Sequence, residues 1–213
     1  MRDEAALRDL LCVIAKSFFD RGMAVGTAGN ISVRLDDGYL VTPTNGCLGR
    51  LEPARLSRLD ADWRHVSGDK PTKELFMHRA FYETRATVEA VVHLHSTYAT
   101  AVSMLPGAPA LDPIPPVSPY YVMRVGHMPL VPYIRPGAEE IGHAIRAFEG
   151  RYSSVLLAHH GPVVAGKSLA DAASAADELE ETAKLHMLLL NQAPRSLTEA
   201  EIGDLVRTFK LDW

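Results

Sequence analysis

The stretch Val91-Val92-His93-Leu94-His95-Ser96 constrains this chain more than any other. It reads as a buried strand that ends in chemistry. A β-strand repeats every two residues, so His93 and His95 share one face while Leu94 points to the other. Two imidazoles on one face at a strand end make half of a metal site. Zinc and similar borderline ions favour imidazole nitrogen and take three or four protein ligands. A His-x-His pattern alone is short, and two solvated histidines satisfy it equally well, so the rest of a ligand set must be sought elsewhere.

Ser154-Val155-Leu156-Leu157-Ala158-His159-His160-Gly161 repeats the theme of an apolar strand ending in histidine. His160 is the third imidazole candidate, and its neighbour His159 competes with it. Glu74, just after Pro71-Thr72-Lys73 at a helix start, is the best carboxylate. Each has an ordinary alternative: a first-turn glutamate is stabilised by the helix dipole in any case, and His160 can be a turn residue before Gly161.

Around these residues the chain alternates helices and strands. Leu7, Leu10, Leu11, Ile14 and Phe18 predict a helix over 3–20 that includes Cys12 at a core position. Ile31–Leu35 and Tyr39–Val41 predict strands joined by the hairpin turn Asp36-Asp37-Gly38. Trp63–Val66 is a further strand candidate, and a helix follows from Pro71 to about Arg85. The central strand spans Val88–His95, with Ser96 capping a helix from Thr97 to Leu105. Residues 106–119 hold six prolines and read as an extended loop, followed by a short helix around Tyr120–Arg124. Leu130–Tyr133 is a strand, Ala138–Phe148 a helix, and Val163–Ala165 the hairpin partner of the second histidine strand. The longest helix, Ser168–Asn191, would turn Leu179, Ala183 and Leu185–Leu190 inward and stop before Pro194, and a last one spans Thr198–Lys210. No linker or internal repeat interrupts the pattern. The expectation is one domain over residues 1–213, an α/β layered fold with a mixed or mainly antiparallel sheet.

Several classes are disfavoured. No apolar run approaches the roughly 20 residues that span a bilayer. The N-terminus, Met1-Arg2-Asp3-Glu4, is charged and leads into an amphipathic helix, unlike a secretion signal. Cys12 and Cys47 form no CxxC pair, so a reduced cytoplasmic protein is the expectation. A net charge of −4 leaves no basic footprint for nucleic acid. An anionic ligand would therefore need a local pocket.

Thr27-Ala28-Gly29-Asn30-Ile31-Ser32, Thr42-Pro43-Thr44, Lys73-Glu74, His93-Leu94-His95 and His160-Gly161 occur in the order and spacing of the class II aldolase/adducin family, which this chain resembles over nearly its whole length. Thr72-Lys73-Glu74 and the run Ser118-Pro119-Tyr120-Tyr121-Val122-Met123-Arg124 bring the resemblance nearest to the 3-oxo-tetronate 4-phosphate decarboxylases within it. The resemblance implies an α/β/α layered domain with a central, mainly antiparallel sheet. It implies one divalent metal ion per subunit on Glu74, His93, His95 and His160, zinc first, with manganese or cobalt as alternatives. It also implies a homotetramer with shared sites and a substrate phosphate lying against Asn30 and Thr44-Asn45-Gly46, with Thr72 nearby. Small residues and helix N-termini suit an anion there. The chain departs from the aldolase pattern at Lys73, where aldolases carry a second serine, and at Asn45, where glycine is frequent. Epimerases of the family carry aspartate in place of Glu74.

The implied substrate is a four-carbon sugar acid phosphate whose carboxylate is β to a ketone, so its decarboxylation yields the enediolate of dihydroxyacetone phosphate. A metal-bound ketone oxygen can accept the electrons released as carbon dioxide leaves. Lys73 is the candidate partner for the substrate's carboxylate or phosphate. Glu74, or Tyr120 or Tyr121 of a neighbouring subunit, is the candidate proton donor. The competing expectations are an aldolase releasing dihydroxyacetone phosphate and an aldehyde, and a non-catalytic adducin-like interaction module.

Overall fold

Period-two burial organises the molecule. Ile31, Val33, Ala90, Val92, Leu94, Leu156 and Val164 face one apolar cluster, whereas Val41, Val91, Val155, Leu157, Val163 and Ala165 face another. Successive strand residues point to opposite faces, so a sheet buried on both sides carries one cluster on each. The computed structural model describes residues 3–192 and 194–213; Met1 and Arg2 of the charged N-terminus, and Ala193, lie outside the described residues.

The strands are β1 (Asn30–Leu35), β2 (Gly38–Val41), β3 (Ser57–Asp60), β4 (His65–Ser67), β5 (Ala90–His93), β6 (Leu130–Val131), β7 (Ser154–Leu157) and β8 (Gly161–Gly166). They lie in the order β4-β3-β2-β1-β5-β8-β7-β6. Every pairing is antiparallel except that of β6 with β7. The helices are α1 (Glu4–Asp20), α2 (Leu75–Thr84), α3 (Thr97–Val102), α4 (Pro119–Arg124), α5 (Glu140–Arg146), α6 (Leu169–Leu189) and α7 (Glu199–Phe209). Residues of α1, α3, α4 and α6 pack on the first face, and those of α2 and α5 on the second. This is the expected α/β/α layering with a mainly antiparallel sheet.

Several local expectations are corrected. The strand foreseen at Trp63–Val66 falls at His65–Ser67, because Trp63 takes φ 66° in the turn that pairs it with β3. β3 is a further strand, formed by pairing with β2. The strand ending at Tyr133 stops at Val131. Leu10 is exposed and Cys12 only half-buried; α1 buries Leu11, Ala15 and Phe18 instead. The last turns of α6 do not point inward: Leu185, Leu188, Leu189 and Leu190 are all exposed. Ser96 occupies the N-cap of α3 without capping it. The carboxylate of Glu180 on α6 takes the amides of Tyr98 and Ala99 at 2.8 and 2.9 Å instead.

Candidate metal centre

β5 ends at His93, with His95 two residues beyond it, and β8 runs antiparallel beside β5. The β7–β8 turn therefore returns the second histidine pair to the end of β5. His159 adopts φ 59° and is exposed, which sends the next side chain, His160, inward. Gly161 then passes so close to β5 that a Cβ would sit 2.2 Å from the carbonyl oxygen of Leu94. Only glycine fits that approach, at a φ of 146°. The competition between His159 and His160 is thus decided by the turn geometry.

The three rings of His93, His95 and His160 meet edge to face with centroids 4.7–4.9 Å apart. One donor nitrogen from each falls within 4.8 Å of the others. Glu74, the residue preceding α2, closes the group. Its Oε2 lies 3.8 Å from Nε2 of His93 and its Oε1 lies 3.6 Å from Nε2 of His160. Nε2 of His93 and Nε2 of His95 are 3.1 Å apart.

The imidazoles are neutral. Burial pushes His93 well below its ordinary value, helped by His160 and His95. It lowers His95 to about 4 with the same help from His160. His160 is also lowered by burial, against an opposing pull from Glu74. Three neutral imidazoles present lone pairs, and a carboxylate beside them supplies negative charge. That donor set fits a borderline divalent cation.

Glu74 is held from behind. Oε2 accepts from Nδ2 of Asn30 at 2.8 Å, and Asn30 pairs directly with His93 in the sheet. Oδ1 of Asn30 in turn meets Nε2 of His78, which sits on α2 one turn after Glu74. The side chain of Asn30 is therefore engaged at both ends.

The small-residue loop lies alongside. Thr42 and Ile31 exchange hydrogen bonds, Thr72 N donates to Thr42 O at 3.2 Å, and Thr44 N donates to Lys70 O at 2.9 Å. Glu74 N donates to Thr72 Oγ1 at 3.3 Å. These contacts tie Thr72 to Glu74 and Thr44 to Lys70, four residues before Glu74. Thr44, Asn45 and Gly46 line a cleft of about 260 Å³ with Thr27, Arg50 and Arg55. In the sequence the two arginines carry only a weak signal, a pair of cations a few residues beyond the loop. Lys73 is exposed and, with Thr72, lines a different cleft of about 570 Å³, bordered by Trp63, Arg79 and Arg146.

The two tyrosines part company. Tyr121 is buried in the core of its own chain at 1 % exposure, its hydroxyl has no hydrogen-bond partner among the described residues, and burial raises its pKa. Tyr120 beside it is 56 % exposed.

The family model for the class II aldolase and adducin N-terminal domain matches residues 9–187. The chain is 50 % identical over 203 residues to the 3-oxo-tetronate 4-phosphate decarboxylase of Escherichia coli K12, covering 95 % of this chain and 96 % of that one. It is 34 % identical to an L-fuculose phosphate aldolase from Escherichia coli O6:H1, covering 89 % and 87 % of the two chains. The crystal structure of YgbL from Escherichia coli superposes with a TM-score of 0.92 at 48 % identity, covering 95 % of this chain and 98 % of that one.

Proposed function

This chain belongs to the class II aldolase and adducin family, and on that footing we propose that it decarboxylates 3-oxo-tetronate 4-phosphate to dihydroxyacetone phosphate and carbon dioxide. The observation that carries this reading is the 50 % identity, across nearly the whole of both chains, to a decarboxylase of that name. We read residues 1–213 as one such domain, because a single sheet draws strands from residues 30 to 166 and takes helices from before and after them.

Glu74, His93, His95 and His160 would hold the divalent cation, zinc by preference, with manganese or cobalt as alternatives. When bound, the cation supplies Lewis-acid stabilisation of the charge that develops on the substrate's ketone oxygen. The remaining work falls to the chain. Thr44, Asn45 and Gly46 receive the phosphate in the cleft they line with Arg50 and with Arg55, which there pairs with Asp69 and Glu52. Asn45 takes φ 58° in the turn after β2, the left-handed conformation found in backbone anion nests. Asn30, bonded to Glu74, and Thr72, whose hydroxyl accepts from Glu74 N, stand beside the carboxylate rather than in that cleft. Lys73 offsets the charge of a substrate that is anionic at both ends. As the bond between carbons 1 and 2 breaks, its electron pair passes to the enediolate and carbon dioxide leaves. Carbon 2 then takes a proton from Tyr120 of a neighbouring copy, or from Glu74 once the substrate has displaced it from the cation and it has taken up a proton from solvent.

The proposed assembly is a homotetramer with shared sites. Its support is the exposed apolar end of α6, where Leu188 is 63 % exposed, and the solvent-facing Tyr120. A phosphorylated, multiply anionic substrate is retained by membranes, so the proposed location is the cytoplasm. Among the described residues no helix is long and apolar enough to cross a membrane. The second reading, an aldolase releasing dihydroxyacetone phosphate and an aldehyde, rests on the 34 % identity to a fuculose phosphate aldolase. Incubating the zinc-loaded chain with 3-oxo-tetronate 4-phosphate, and separately with fuculose 1-phosphate, decides between them. The decarboxylase reading requires equal amounts of carbon dioxide and dihydroxyacetone phosphate from the first, and little turnover of the second.

A further inference from the structure

A line of hydrogen-bonded side chains runs from the middle of the sheet to the metal centre, and its direction is determined link by link. Nδ2 of Asn30 lies 2.8 Å from Oε2 of Glu74. A carboxylate only accepts, so the amide nitrogen donates. Oδ1 of Asn30 is thereby turned toward Nε2 of His78, 2.5 Å away, and must accept; Nε2 of His78 therefore carries a hydrogen. Burial lowers the pKa of His78 to about 3, so the ring is neutral and its Nδ1 is bare. The Ser32 hydroxyl, 2.7 Å away, donates to that nitrogen. Its only hydrogen is then committed, so the Tyr82 hydroxyl at 3.0 Å donates to Ser32. The sequence Tyr82 → Ser32 → His78 → Asn30 → Glu74 is one-way, and the negative charge at its end selects the direction.

Packing alone gives no reason for it. Ser32 and His78 have no exposed surface, and Asn30 and Tyr82 are nearly as buried. They occupy the sheet face that otherwise holds Val41, Val91, Val155 and Val163. Buried polar groups destabilise a core unless every one is paired, so apolar residues would fill this space at lower cost. Here each link is paired, and the line leads to the one carboxylate of the cluster.

We propose that His78 is the positioning residue for Glu74: by donating to Oδ1 of Asn30 it keeps the amide N–H toward the carboxylate, and so holds Glu74 in the orientation from which it ligates the cation. Without that donor the Asn30 amide can turn over and set an oxygen against the carboxylate. Glu74 then loses its only side-chain donor among the described residues. The proposal rests on the reading that Glu74 and the three histidines bind a divalent cation.

The test is zinc affinity, measured by competition with a chromophoric chelator on the full chain, with no substrate present. Outer partners of metal ligands contribute about 10–100-fold to affinity. His78→Phe should therefore weaken zinc binding by at least about tenfold. His78→Gln, whose amide nitrogen sits near the position of Nε2 and can donate to Asn30, should recover it to within about threefold of the wild type. Wild-type affinity in a folded His78→Phe overturns the proposal, and so does an equal loss in both variants, which would mark a packing role. If His78→Phe does not fold, Ser32→Ala decides. It should weaken zinc binding by about threefold or more in the wild-type background and not at all in the His78→Gln background; unchanged affinity in the first case overturns the proposal. A wild-type chain that binds zinc yet releases no carbon dioxide removes the decarboxylase reading and leaves the zinc comparison intact. One that binds no zinc removes both.

Discussion

Nδ1 of His93 donates to the carbonyl oxygen of Pro162 on the neighbouring strand, across 2.9 Å. A carbonyl can only accept, so the bond settles the tautomer and leaves Nε2 as the free lone pair, aimed at His95 and Glu74. The strand β8 thus sets which nitrogen of His93 on β5 faces the histidine–carboxylate cluster.

His93 and His95 should consequently behave differently when removed. Either His93→Ala or His95→Ala should reduce bound metal from about one ion per chain to nearly none, and chelators should do the same to the wild type. His93 is fully buried and partnered, so its loss also leaves a buried carbonyl with one partner fewer and a void. That should cost the metal-free chain about 2–4 kcal/mol. His95 is only partly buried, and its loss should change metal-free stability by less than about 1 kcal/mol. Urea unfolding with metal analysis checks both. Full metal content in His95→Ala would refute the ligand assignment.

Gly161→Ala should damage the centre without touching a ligand. The added Cβ would fall 2.2 Å from the oxygen of Leu94, at a φ that other residues avoid. The β7–β8 turn must then move, and His160 with it. A destabilisation of about 1–3 kcal/mol is expected, together with weaker zinc binding. A variant with wild-type stability and affinity would show that the turn does not set the position of His160.

Much of this was legible in the chain and some was not, for identifiable reasons. The histidine pair and Glu74 were readable because strand ends and helix starts leave period and composition signals. β3 was not: its segment, Ser57-Arg58-Leu59-Asp60, offers one apolar residue with Leu56 before it, and pairing with β2 makes it a strand. The leucines ending α6 read as core by hydrophobicity alone, whereas exposure there depends on what packs against the helix. The Glu180 cap joins residues 82 positions apart, and no local pattern announces it. His78 was within reach, since it lies four residues after Glu74 and helical spacing puts both on one face. What hid it was Ser32, an unremarkable strand residue whose partner is set only by folding.

Lys73→Ser tests the choice of reaction. Lys73 is exposed and borders a cleft shared with Arg79 and Arg146, and it immediately precedes Glu74. Losing one charge-assisted hydrogen bond should cost roughly 1.5–3 kcal/mol, or about one to two decades in kcat/KM on the tetronate phosphate. Bound metal should stay at the wild-type level. If the kinetics are unchanged, Lys73 is a solvated residue and the substrate's charge is met elsewhere, with Arg50 and Arg55 the next residues to replace.

The buried ring of His78 also makes stability depend on pH, with a definite sign. Its pKa is about 3 in the fold against 6.5 when free, because burial disfavours the charged ring. Below pH 6.5 the unfolded chain takes up a proton that the folded chain refuses. The unfolded state therefore gains as pH falls, and the contribution of His78, complete above pH 6.5, is lost progressively toward pH 3. The slope is at most about 1.4 kcal/mol per pH unit from this one group. His93, His95 and His160 act in the same direction, so the total loss in acid does not isolate it. His78→Gln does, because it removes one titrating group and keeps the donor to Asn30. Urea unfolding of the metal-free chains between pH 5 and 7 should show the variant losing stability less steeply, by about one proton's worth. Parallel curves would mean that the His78 ring can be protonated in the folded chain, and the one-way hydrogen-bond line through it could not then stand as drawn.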